Sequence, residues 1–229
     1  MHVPDGFLDA PTSVATGVVA AAAVAVSLRG ARRELDDRTA PMAGLVATFV
    51  FAAQMINFPV GAGTSGHLMG GALAAVLVGP WTAVLCLSVV LVVQALLVAD
   101  GGITALGTNI TLIGIVTVVV GWAVFVALRR VLPRRLSTVA PAAAVAAFVS
   151  VPAAALVFTG LFAVGGNVPV DLGTVLTAMI GWHTVIGIGE AVITGLVVAS
   201  VVATRPDLVH GARPLIVERE LELRTGVAT

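Results

Sequence analysis

The chain contains no lysine and no tyrosine, a single cysteine and few charges: of its 229 residues, 10% are Asp, Glu, Lys or Arg. Soluble domains carry about 25% charged residues, so this composition does not build a water-facing surface. One cysteine, Cys86, lies in an apolar run and excludes both an internal disulfide and a Cys-based zinc site. A P-loop needs its lysine to contact nucleotide phosphates, so the chain cannot hydrolyse ATP by that route. A net charge of +0 argues against a nucleic-acid partner.

What is present is apolar. Hydrophobic residues make up 59% of the chain and the mean hydropathy is +1.09. A helix crossing the bilayer needs about 20 apolar residues. Candidate segments fall at 12–28, 41–58, 67–79, 80–99, 107–128, 139–163 and 173–204. The third and fourth meet at Gly79-Pro80, a plausible turn. The alternative is one kinked helix over 67–99 and six spans.

The arginines choose between these. Arg29, Arg32, Arg33 and Arg38 follow the first span, Arg129, Arg130, Arg134 and Arg135 the fifth, and Arg205, Arg213, Arg219 and Arg224 the last. Seven spans put all three clusters on one side, and Arg-rich short loops stay cytoplasmic. The expectation is an all-α integral membrane protein in the cell membrane, with seven transmembrane helices, the N-terminus outside and the C-terminus cytoplasmic. Residues 1–204 form one transmembrane metal-binding domain, with a lid at 1–11 and an external loop at 59–66; 205–229 is a short cytoplasmic tail. The start is not a secretory signal, since Asp5 and Asp9 replace the positive n-region. Met1 is expected to be retained before the large His2.

The external face then collects Met1, His2, Asp5, Asp9, the 59–66 loop, Asp100 and Asp171, with no Arg or Lys among them. Met-His is a ready chelate: the amine, the His2 amide nitrogen and a His2 imidazole nitrogen reach one ion through small rings. His67, in the break Gly63-Thr64-Ser65-Gly66-His67, supplies a fourth nitrogen. Square-planar nitrogen coordination suits Ni(II) or Cu(II), and imidazole also suits cobalt. The third span covers only ~20 Å at 1.5 Å per residue. The Gly- and Pro-rich stretch before it is therefore expected to dip inward and open an external pocket with His67 at its floor.

Other polar residues lie in apolar segments. His183 and Glu190 fall on one face of the last span and, with Gln54, Asn57, Thr64 and Ser65, are candidates to orient ligands or to join helices. Gln94 and Asn109 share that expectation. His210 is expected to be solvent-exposed. Ala43 with Ala47, and Gly17 with Ala21, are small-residue pairs on which a partner helix could dock. No catalytic residue is assigned. An intramembrane metalloenzyme would need an open coordination position and a base, and no His-Glu-x-x-His motif occurs. A membrane scaffold without substrate is the third reading.

Four segments resemble one family: Met1-His2-Val3-Pro4-Asp5-Gly6-Phe7-Leu8, Phe51 to Pro59, Gly63 to Gly71, and His183 to Ala191. They are similar to the substrate-binding (S) components of nickel and cobalt energy-coupling factor transporters, the CbiM/NikM type. The resemblance implies seven helices and a metal held by Met1, His2 and His67. It implies Ni2+ or Co2+ as transported substrate with no organic cofactor, as in cobalt uptake for cobalamin biosynthesis. The implied partners are a membrane coupling (T) component, two ATPase subunits that hydrolyse ATP, and a small accessory membrane subunit. The charged run Glu218 to Arg224 is read as a cytoplasmic helix or a disordered end.

Overall fold

A computed structural model describes residues 1–37, 39–61 and 64–216. Arg38, Ala62, Gly63, the Thr64 side chain and the run 218–224, with Arg219 and Arg224, lie outside the described part. Seven helices occur among the described residues: α1 Ala10–Glu34, α2 Ala40–Gln54, α3 Gly71–Val78, α4 Pro80–Val98, α5 Leu106–Val131, α6 Leu136–Gly165 and α7 Leu172–Thr204. Five of them, α1 and α4 to α7, are long and apolar enough to cross a membrane. The chain is an all-α membrane protein.

The two short helices differ from expectation. The second segment ends as a helix at Gln54, because residues 58–61 pair with 64–66 as an antiparallel hairpin, β1 Phe58–Gly61 and β2 Thr64–Gly66. The described residues of the 59–66 stretch are thus paired strands and not irregular loop. The third segment is helical only over Gly71–Val78, and every one of these eight residues is buried. A helix this short gains little from its own hydrogen bonds. It persists because α4, α5 and α6 pack around it into one apolar cluster.

Gly79 separates α3 from α4 with φ 95°, a backbone that side chains rarely adopt. The kinked-helix alternative is thereby excluded. Glu34, the last residue of α1, is buried and accepts from Trp81 N (3.2 Å), Thr82 N (2.7 Å) and Thr82 Oγ1 (2.9 Å). That carboxylate caps the start of α4 and puts 79–82 at the same end as the α1 C-terminus. The other end of α4 meets the N-terminal segment.

The tail also departs from expectation. Val209 and Ala212 are fully buried in the α3 cluster, so 205–216 docks on the bundle. His210 is not solvent-exposed; its ring lies 5.5 Å from that of Trp122.

Candidate metal centre

Residues 1–8 enter the second apolar cluster. Met1 and Val3 are 0% exposed, and Phe7 packs on Phe158 and Phe162 of α6 at 5.7 and 5.4 Å between rings. The backbone of this lid is tied at several points. Val3 N donates to Asn109 Oδ1 (2.8 Å) and Asn109 Nδ2 donates to Val3 O (3.1 Å). Gly102 N donates to Val3 O (3.0 Å), and Asp9 N to Gly165 O (2.7 Å). Asp5 Oδ1 accepts from Thr104 Oγ1 (2.5 Å) and Thr104 N (2.7 Å), which keeps its carboxyl below the usual range. A Cβ on Gly102 would stand 2.4 Å from Asp5 N, so only glycine lets the two backbones approach this closely.

This seating brings the predicted donors together. Met1 N lies 2.5 Å from His67 Nε2. The rings of His2 and His67 are 4.4 Å apart. The hydrogen bonds choose the tautomers. His67 Nδ1 donates to Leu68 O (2.7 Å), which leaves a lone pair on Nε2 facing the amine. His2 Nε2 donates to Gln94 Oε1 (3.2 Å), which leaves a lone pair on Nδ1. That Nδ1 lies 3.2 Å from Asp100 Oδ1 and has no other polar partner among the described residues. The His2 amide donates to Ser65 Oγ at 3.4 Å, a weak bond that an ion can displace. Burial drives the Met1 amine from 8.0 down to about 4, against the opposing pull of Asp100 and Glu190, so the lone pair is free at neutral pH. Two ligands at ~2 Å and a right angle about one ion stand ~2.9 Å apart; the amine and His67 Nε2 are within half an ångström of that.

Among the described residues, no three His, Cys, Asp or Glu side chains converge as ligands. The donors here are an amine, an amide and two imidazoles.

A relay of amides supports them. Gln94 Nε2 donates to Gln54 Oε1 (2.9 Å), and Gln54 Nε2 donates to Met69 O (3.0 Å). His2 is thus linked through two side chains to the segment 67–70 that follows β2 and carries His67. Glu190 accepts from Met69 N (2.7 Å) and Gly70 N (2.8 Å), fixing the same segment from α7. Asn57 is exposed and acts indirectly, donating to Asp100 Oδ2 (3.0 Å). His183 is buried, with Nδ1 donating to Met179 O (2.8 Å) and Nε2 unpartnered.

Sequence reasoning missed the 100–104 loop as the seat of the lid, and Glu34 as a cap. The one signal for the loop was Gly101-Gly102 beside an acidic residue. Two π-helical segments, Gln94–Val98 and Ile110–Val116, adjoin the residues that hold the lid. Such widened turns often sit at functional sites.

The family model for the cobalt uptake substrate-specific transmembrane region, CbiM, matches residues 2–208. The chain belongs to the CbiM family. A putative metal transport protein of Haloquadratum walsbyi is 40% identical over 209 residues, covering 91% of this chain and 93% of the relative. The fused nickel transport protein NikMN of Rhodobacter capsulatus is 35% identical over 99% of this chain and 69% of its own length. A solved transition metal transporter, in truncated form, superposes with TM-score 0.82 at 30% identity, over 89% of this chain and 99% of the other. The chain is therefore a CbiM-type substrate-specific membrane component of metal uptake, and a transport protein, not an enzyme.

Proposed function

We propose that the chain is the ion-capturing component of an energy-coupling factor importer, binding Ni2+ or Co2+ from outside through the Met1 amine, the His2 amide and Nδ1, and His67 Nε2. The observation that carries this reading is the 2.5 Å approach of the amine to a tautomer-fixed imidazole, with a second unpartnered imidazole nitrogen beside it. Planar coordination through a deprotonated amide favours Ni(II) on chemical grounds. Names of relatives support both ions, one a nickel transport protein and another, from Sorangium cellulosum, a cobalt transport protein.

In this reading α1 to α7 make seven crossings in one domain, with the lid end outside and the Arg-rich end cytoplasmic. The Gly79 turn beside Glu34 supports this parity, as does the short, protein-covered α3, tolerable at membrane depth because every residue is buried. ATP hydrolysis belongs to two partner subunits, joined by a coupling component and a small accessory membrane protein. Of the small-residue pairs, Ala43 and Ala47 are half-buried on α2 and Ala21 is exposed on α1. Gly17 is a weaker docking candidate, because a Cβ on Gly107 of α5 would stand 2.4 Å from its Cα, an internal contact that uses its small size.

The test is metal affinity of purified protein in three forms: native, extended by one residue before Met1, and His67→Ala. The extension moves the amine off His2, so both altered forms are expected to lose tight binding while keeping helical content. Equal affinity of the extended form would remove the amine from the site. Competition between Ni2+ and Co2+ in the same assay gives the preference.

A further inference from the structure

At the Arg-rich end lies a cavity of about 460 Å³ that metal capture does not use. Its walls combine two chemistries. Trp122 and Phe125 of α5 form an aromatic floor, their rings 5.5 Å apart and nearly parallel. Arg129 and Arg130, in the last turn of α5, and Arg134, in the loop that follows, form a cationic rim. The docked tail closes one side with His210, whose buried Nδ1 has no partner among the described residues. Arg129 donates to Thr138 Oγ1, which fixes the rim to the start of α6. Arg130 is exposed and has no polar partner among the described residues.

Three guanidiniums select a phosphate-like anion, which arginine binds through paired donors. An aromatic, apolar floor directly beneath them selects a hydrocarbon. The cavity sits where the apolar run of α5 gives way to arginine, at the depth of lipid headgroups. Basic pockets between helices at this level suit anionic headgroups.

We propose that this cavity is a binding site for an anionic phospholipid, with its phosphate on Arg130 and Arg134 and an acyl chain against Trp122 and Phe125. The lipid staples the docked tail to α5, since His210 is one wall of the site.

The test uses the full chain in bilayers of phosphatidylcholine or phosphatidylglycerol brominated on the acyl chain, read by tryptophan quenching. Trp122→Phe defines the background from Trp81 and Trp182. Brominated phosphatidylglycerol is expected to quench Trp122 more than the phosphatidylcholine form at equal mole fraction. Arg130→Gln with Arg134→Gln, both at exposed positions, is expected to lower that preference by roughly thirtyfold. Arg29→Gln with Arg33→Gln is expected to leave it intact. Equal quenching by the two lipids overturns the proposal, as does a preference that survives the Arg130 and Arg134 changes. Loss of the preference on adding inorganic phosphate, or a peptide of residues 217–229, also overturns it, by making the site one for a soluble anion or for the chain's own end.

Discussion

The two ends of the bundle hold their polar groups by opposite means. At the lid end the donors are neutral and deeply buried: an amine stripped of its proton, two imidazoles of fixed tautomer, and two glutamine amides in series. At the other end the polar groups are charged and mostly at the surface, and the one buried carboxylate, Glu34, spends itself on capping α4. Ion capture calls for lone pairs, which protonation removes. Anchoring to an interface calls for charge, which water and headgroups can solvate. In the proposed reading, burial at the lid end keeps the donors unprotonated as well as stabilising the fold.

The comparison breaks most severely if Glu190 is removed. Glu190→Ala leaves two buried N–H groups without acceptors and frees the segment 67–70 that carries His67; a loss of about 2–5 kcal/mol in bundle stability is expected, measured by detergent-induced unfolding. Gly102→Ala tests the lid alone. Its Cβ would meet Asp5 N at 2.4 Å, so metal affinity is expected to fall by roughly tenfold or more, about 1.4 kcal/mol, with the helices unaffected. A normal affinity in that variant would show that the lid tolerates a shifted seat.

Acidification probes the same end without mutation. The Met1 amine has a pKa of about 4 when docked and 8.0 as its ordinary value. Between these values the undocked form carries more protons, so docking strengthens as pH rises from 4 to 8.0 and weakens as it falls. Hydrogen exchange at Val3, corrected for intrinsic rate, should therefore quicken on acidification below 8.0, while amides of α3 hold. At the opposite end, Glu34→Ala removes a helix cap and should cost about 1–2 kcal/mol, with metal affinity unchanged. Asn57→Ala, which touches the site only through half-buried Asp100, should change affinity least, by less than about threefold.

Legibility followed length scale. The long apolar runs that became α1 and α4 to α7 were readable because twenty or so hydrophobic residues have few other destinies. The lid residues were readable because Met-His at a chain start is itself a chelate. The extent of α3 was not, since Leu68 and Met69 are as apolar as the helix after them, and it is Gln54 and Glu190, bonded to the backbone of Met69 and Gly70, with Gly70 at φ 80°, that keep 67–70 out of the helix. Nor was the pairing of Phe58–Gly61 with Thr64–Gly66, which strands of four and three residues are too short to announce by alternation. His210 was misjudged because a polar tail reads as solvated until Val209 and Ala212 are seen to enter the core.

By itself the sequence determined that the chain lives in a membrane, where its charges sit along each span, and which nitrogens are available to an ion; those are properties of composition and covalent order. Only the tertiary structure decided that Asn109, Gly102, Thr104 and Gln94 seat the lid, that Glu190 and Gln54 set the segment 67–70, and that Glu34 closes α4. Those contacts join residues from 15 to more than 100 positions apart. Such pairings follow from how buried polar groups find partners once the helices have packed, a choice that no local pattern encodes.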